Sequence, residues 1–231
     1  MRYVDALILA GGKGERLRSV IGDTPKPLAL VNGRPFITYL LDKLQNECGF
    51  RRVIIGVGHQ AETVIKTLGK KYGKTRLIYS QEDTPLGTGG AILKATEMMK
   101  HDRMLVLNGD SWCEADLSQF RSSYIRWGHR VSLVATEVPD VSRYGALSIF
   151  GNQVMEMKEK GPSGPGWISA GIYLFSKKTF LERVKTGPVS LERDVFPVLV
   201  KDCLLNAWKS QSRFIDIGTP ESYALAQEVL K

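Results

Sequence analysis

Over residues 1–138 the chain alternates short apolar runs with segments whose apolar residues recur at helical spacing, and this alternation narrows the possible folds more than any other feature. Residues 4–10, 53–57, 76–79, 104–107 and 131–136 read as strands, and residues 36–48, 61–68, 90–99 and 117–127 as helices. In the segment 36–48, Phe36, Ile37, Leu40, Leu41 and Leu44 share one helical face, and Gly49 supplies a stop. Strand and helix in repeated alternation imply a parallel sheet, because parallel neighbours need a crossover connection. The strands are apolar at successive rather than alternate positions, as in a sheet covered on both faces. After Pro139 the pattern changes. Residues 144–150 and 154–157 flank Gly151-Asn152-Gln153, a hairpin signal. Residues 161–166 are a loop by composition, and 167–175 a strand. Helices at 177–184, 191–200 and 223–230 and short strands at 204–208 and 214–217 complete the chain. The expectation is α/β: one domain over residues 1–231 with a Rossmann-like, mixed but mainly parallel sheet, helices on both faces, and a mixed part over 139–231 that forms one side of a cleft.

Composition excludes several classes. Hydrophobic residues make up 43% of the chain and charged residues 24%, the balance of an ordinary globular domain. No apolar stretch is long enough to span a bilayer, and the N-terminus lacks the pattern of a signal peptide, so no membrane partner is expected. The three cysteines, Cys48, Cys113 and Cys203, are scattered, which fits a reduced, cytoplasmic compartment. The net charge of +8 favours an anionic partner. No basic stripe or nucleic-acid motif accompanies it, so a phosphate-rich small molecule is expected rather than nucleic acid. The sequence leaves the oligomeric state open, a homo-oligomer included.

Gly11-Gly12-Lys13-Gly14-Glu15-Arg16-Leu17 follows the first strand directly, after Leu9 and Ala10. Glycines there let backbone N–H groups approach phosphate oxygens with no Cβ in the way. The spacing is not that of a dinucleotide fold, since Leu17 stands where a third glycine belongs, and no Gly-Lys-Ser/Thr follows as in a P-loop. Glycines alone would also suit a tight strand-to-helix turn. Two cations favour phosphate: Arg16 inside the loop, and Lys26 between Pro25 and Pro27, whose rings are expected to hold it on a stiff, non-helical segment.

Three further segments carry chemistry. Leu86-Gly87-Thr88-Gly89-Gly90-Ala91 opens a helix; its small residues would let a planar base lie on the backbone, and Thr88 could equally be the helix cap. Glu82, just before it, could accept from guanine N1–H and N2–H₂, or be a solvated loop carboxylate. Asp110 follows the apolar run Leu105-Val106-Leu107-Asn108-Gly109, and open parallel sheets bind ligands beyond the carboxyl ends of their strands. Mg²⁺ is held by one or two carboxylates plus substrate phosphates. Asp110 and Asp216 are the candidates, although each alone could form a turn. His59, His101 and His129 are not spaced as metal ligands, and no Ser-His-Asp or Cys-His set stands out.

The stretch LILAGGKGERLRSVIGDTPKPLALVNGRPFITYLL, with Gly-Gly-x-Gly-x-Arg-Leu followed by Pro-Lys-Pro, resembles the signature of the sugar-1-phosphate nucleotidyltransferases, and the likeness runs through nearly the whole chain. The resemblance implies a nucleotide-binding half over residues 1–138 and a small sugar-binding lobe over 139–231. It implies that an NTP and a sugar 1-phosphate react directly, releasing pyrophosphate, with Mg²⁺ as cofactor on Asp110 and Asp216. Leu9, Ala10, Gly11, Gly12, Gly14, Glu82, Gly87 and Thr88 would bind the nucleotide, with Arg16, Lys26 and Asp110 catalytic. Gly109, Glu159, Lys160 and Gly171 would bind the sugar phosphate, Gly171 leaving room for a sugar ring. Gly161 replaces the proline of the family's Glu-Lys-Pro motif, which weakens the reading of Lys160. Within the family, the combination of these segments with Tyr79-Ser80-Gln81-Glu82, LNGDS and FIDIGTP is most similar to guanylyltransferases of a heptose 1-phosphate. Enzymes for mannose 1-phosphate (guanylyl) or N-acetylmuramic acid 1-phosphate (uridylyl) come next, and no added β-helical domain is expected. A non-catalytic nucleotide-sugar sensor on the same fold would be expected to have lost Arg16, Lys26 or an aspartate; all are present.

Overall fold

A computed structural model describes residues 4–158 and 163–230. The strands are β1 (Asp5–Leu9), β2 (Leu30–Val31), β3 (Arg34–Pro35), β4 (Arg52–Val57), β5 (Lys71–Tyr72), β6 (Thr75–Gln81) and β7 (Arg103–Asn108). They continue with β8 (Ser111–Cys113), β9 (Val131–Val138), β10 (Ala146–Phe150), β11 (Gln153–Lys158), β12 (Gly166–Ser176), β13 (Leu205–Ser210) and β14 (Phe214–Asp216). The α-helices are α1 (Arg18–Ile21), α2 (Phe36–Cys48), α3 (Ala61–Leu68), α4 (Gly87–Ala95), α5 (Leu117–Arg126), α6 (Lys177–Leu181), α7 (Phe196–Lys201) and α8 (Pro220–Val229).

Ten strands form one sheet in the order β10-β11-β13-β9-β12-β7-β1-β4-β6-β5. The block β7-β1-β4-β6 is parallel, as the strand–helix alternation requires. Its apolar strands serve both faces. Ala6, Ile8, Leu105 and Leu107 join one core cluster with residues of α2, α3, α5 and α8. Leu7, Met104 and Val106 join the other with residues of α4, α6 and α7. Successive side chains of a strand point to opposite faces, so a continuous apolar run is what a sheet covered on both sides demands.

The strand at 131–138 does not extend the parallel block. β12 lies between β7 and β9, antiparallel to both. Its stretch from Ile172 to Phe175 is wholly buried, and such a strand is stable in the middle of a sheet rather than at an edge. The two halves read from the sequence therefore share one continuous sheet. The segment 191–200 is also not a single helix: residues 191–195 form a π-helical turn and α7 begins at Phe196, with Pro197 in its first turn. Proline has no N–H for the i→i−4 ladder, so an uninterrupted α-helix through it is disfavoured.

Candidate active site

The sheet reverses its order at β1: the chain goes from β1 to β4 on one side and returns to β7 on the other. The loops after β1 and β7 thus diverge from a crevice at their carboxyl ends, the place where open α/β sheets bind ligands. A cavity of about 610 Å³ opens there. Of the residues singled out from the sequence, Leu9, Ala10, Gly11, Gly12, Gly14 and Lys26 line it. Glu82, Gly87, Thr88, Gly109 and Asp110 line it too. Arg16, Gly171 and Asp216 are not in its wall, and Glu159 and Lys160 lie outside the described residues.

The glycine loop is shaped by close approaches. Gly14 is left-handed (φ 65°) and precedes a 3-10 turn over Glu15–Leu17. A Cβ on Gly14 would stand 3.1 Å from Cβ of Lys26, so the missing side chain makes room for the lysine stem. Lys26 itself opens a 3-10 turn, Lys26–Leu28, closed by a 2.7 Å bond from Leu28 N–H to the Pro25 carbonyl. This corrects the non-helical expectation for residue 26. The two prolines still stiffen the turn, and its tight pitch aims Lys26 back over Gly14.

Lys26 Nζ donates to Asp110 Oδ2 at 2.7 Å, with 11% of the lysine side chain exposed and 44% of the aspartate. Asp110 follows Gly109, whose N–H donates to the Leu9 carbonyl at 2.8 Å and whose added Cβ would collide with that same oxygen. Gly109 is thus glycine because β7 and β1 touch there.

Asp216 ends β14, which pairs antiparallel with β8, opposite Ser111. Ile217 N–H donates to the Asp110 carbonyl at 2.9 Å, so the two aspartates are brought side by side from 106 residues apart (216 − 110). Asp216 Oδ1 accepts from Gly218 N–H at 2.6 Å and Ser222 Oγ at 3.0 Å. Its Oδ2 accepts from Tyr144 Oη at 2.7 Å and, at 3.4 Å, from Arg143. Burial, and then the Asp216 carboxylate, push the Tyr144 phenol well above its ordinary value, so it stays a donor. The donor set fits Mg²⁺, a hard cation content with two carboxylates when phosphates and water complete its shell. About four acceptor positions exist on a carboxylate. The 3.4 Å contact from Arg143 is the weakest and is the one a cation would replace. No cluster of three or more His, Cys, Asp or Glu suited to a metal exists among the described residues. Arg16 stands at this end of the cleft: its guanidinium is 3.6 Å from where a Gly218 Cβ would lie.

On the base side, Glu82 is half-buried rather than solvated. Its backbone N–H donates to the Val57 carbonyl, and its Oε2 accepts from Leu86 N–H, both at 2.8 Å. A Gly11 Cβ would lie 3.2 Å from Oε1. Burial raises the Glu82 carboxyl above the usual range, opposed by the Leu86 N–H bond. Thr88 is not the helix cap. The N-cap of α4 is Leu86, without a side-chain bond. Thr88 Oγ1 instead accepts from Leu191 N–H at 2.7 Å and donates to Glu192 at 3.1 Å. The first amides of α4 are capped from a distance: Gly89 and Gly90 N–H donate to the Val189 carbonyl at 2.8 and 3.3 Å. A Cβ on Gly87 (φ 68°) would fall 2.5 Å from that oxygen. The glycines of this segment are therefore demanded by the strap over residues 187–189, whatever ligand lies beyond.

Gly171 (φ 70°) marks the break in register between β12 and β9. Its Cβ would meet Ser111 Oγ at 2.6 Å and Asn108 Nδ2 at 2.9 Å. Protein side chains, not room for a sugar ring, account for this glycine. Sequence reasoning missed Gly58, His59 and Asn108, all in the cavity wall. Gly58 repeats the first loop's signal, a glycine just after a parallel strand, here β4. Gly58 is needed because its Cβ would lie 3.1 Å from the Gly11 carbonyl.

A cleft at this switch point, lined by a glycine loop and a lysine–aspartate pair with a second aspartate held beside it, is the arrangement of a nucleotidyltransferase. The chain belongs to the nucleotidyl transferase family, whose sequence model matches residues 5–231. It is 33% identical to D-glycero-alpha-D-manno-heptose 1-phosphate guanylyltransferase of Aneurinibacillus thermoaerophilus over 99% of both chains. It is also 33% identical to mannose-1-phosphate guanylyltransferase of Mycobacterium tuberculosis, over 95% of this chain but 62% of that protein. Among solved structures it resembles HddC from Yersinia pseudotuberculosis, with a TM-score of 0.88 and 36% identity over 99% of this chain and 100% of that one. HddC has also been solved complexed with GMP-PN.

Proposed function

We propose that this nucleotidyltransferase moves GMP from GTP to D-glycero-α-D-manno-heptose 1-phosphate, giving GDP-heptose and pyrophosphate. The observation that carries the substrate pair is the likeness to the heptose enzyme over 99% of both chains. Glu82 supports guanine: one oxygen is fastened by Leu86, and the half-buried carboxylate offers acceptors to the N1–H and N2–H₂ edge.

Chemistry of this kind depends on positioning and charge neutralisation rather than on an enzyme nucleophile. The amides of residues 11–14 and the Arg16 guanidinium hold the departing β,γ-phosphates. Lys26 neutralises charge at the α-phosphate and orients the attacking sugar phosphate. It can do so because its present partner, Asp110, is half exposed and free to exchange it. Mg²⁺ held by Asp110 and Asp216 would supply further charge neutralisation on the phosphates. Glu159, Lys160 and Gly109 serve the sugar phosphate.

Pyrophosphate release, measured with Mg²⁺ while GTP, UTP, CTP, ATP and dTTP are crossed against heptose, mannose, glucose and N-acetylmuramic acid 1-phosphates, tests the proposal. Release with GTP and heptose 1-phosphate alone is expected. A preference for mannose 1-phosphate would transfer the assignment to that sugar, and no release from folded protein would overturn it.

A further inference from the structure

A second cavity, of about 220 Å³, lies away from the cleft, at the other end of β7. Arg103, the first residue of β7, lines it, whereas Asn108 at the last lines the candidate active site. Asp102, Tyr124, His129, Arg130 and Ser176 also stand in its wall. The wall is well fastened. Tyr124 Oη and Ser176 N–H both donate to the Arg130 carbonyl at 2.9 Å, and Lys177 N–H to the Asp102 carbonyl at 2.7 Å.

Part of its bonding capacity is unspent. The Arg103 and Arg130 guanidiniums form no ion pair among the described residues. His129 keeps Nδ1 buried without a hydrogen-bond partner while its ring packs against Trp127, with centroids 5.3 Å apart. Planar guanidiniums match phosphate oxygens in pairs, and two arginines in the wall of a small cavity suit a compact phosphate rather than a polymer. The Asp102 carboxylate and the Ser176 hydroxyl, 3.5 Å apart, suit a hydroxyl donor on the same ligand.

We propose that this cavity binds the phosphate group of a small hydroxylated phosphomonoester, at a site separate from the nucleotidyltransferase cleft. The guanidiniums of Arg103 and Arg130 hold the phosphate, and Asp102 accepts from a neighbouring hydroxyl.

The chain's three histidines make the test local. His59 lines the cleft and His129 the second cavity, so ring NMR signals report each separately. The probe is inorganic phosphate, titrated at constant ionic strength. His129 is expected to shift saturably, with half-saturation below about 5 mM. Arg103→Gln and Arg130→Gln should each raise that value at least about tenfold, the loss of a charge-assisted bond, and leave the His59 response unchanged. Arg130 is exposed, so its variant keeps the test decisive even if Arg103→Gln does not fold. A His129 signal that stays still up to about 50 mM phosphate, or that moves equally in the folded variants, overturns the site whatever His59 does.

Discussion

Lys26 and Asp110, 84 positions apart in sequence, meet at 2.7 Å in the floor of the cleft. Neither is free while the other holds it, so the pair stores an ammonium and a carboxylate that substrate phosphates and a cation can separate. Lys26→Ala and Asp110→Asn should each lower kcat by about 10²–10³-fold, the usual cost of removing one preorganised electrostatic group. Steady-state kinetics beside circular dichroism checks this; near-normal turnover in a folded variant contradicts the assignment.

The half-buried Glu82 carboxyl gives guanine binding a pH dependence. As an acceptor of two guanine donors it must be ionised, and burial places its pKa above the ordinary carboxylate value. GTP affinity should therefore fall as pH drops through that raised pKa, and Glu82→Gln should lose this limb. The stability consequence has the opposite sign: a raised folded-state pKa means that this group's contribution to folding is present at low pH and lost as pH rises through it. Parallel profiles of KM for GTP and of Tm separate the two effects.

Tyr144 fixes the orientation of Asp216 from 2.7 Å. Loss of such an outer-shell partner commonly weakens a metal site by 10–100-fold, so Tyr144→Phe should raise half-saturating Mg²⁺ by about tenfold. Turnover at saturating Mg²⁺ should change much less. An unchanged Mg²⁺ curve would remove Asp216 from the metal site, and chelation with EDTA should abolish activity in wild type.

Gly87→Ala should destabilise the fold. The residue has φ 68°, and its Cβ would fall 2.5 Å from the Val189 carbonyl. Left-handed geometry alone costs about 1–2 kcal/mol for a residue with a Cβ, and the collision adds to it. A loss of about 2 kcal/mol or more by denaturant unfolding is expected. Gly12→Ala, with nothing within 4 Å of its Cβ, serves as the control and should leave stability nearly unchanged.

Much of this was legible in the sequence because it is local. Periodicity determined that residues 36–48 form a helix and residues 104–107 part of a strand buried on both faces, since one chain segment carries its own apolar pattern. The glycine loop after β1 and the carboxylate after β7 were readable for the same reason. What a residue is packed against is not local. Nothing in residues 131–136 says that β12 will intervene before β7, because pairing partners are chosen by burial across the whole sheet. Gly87, Gly109 and Gly171 could be seen as glycines, yet their reasons sit on Val189, Leu9 and Ser111, on other segments. Thr88 looked like a cap by its place at a helix start, and only the tertiary structure gave its hydroxyl to Leu191 and Glu192. The sequence by itself determined the layered α/β class and the residue types the chemistry needs. Tertiary structure alone decided which of them meet: Lys26 with Asp110, and Asp110 beside Asp216, because distant segments are brought within hydrogen-bonding range only when strands and ribbons pair.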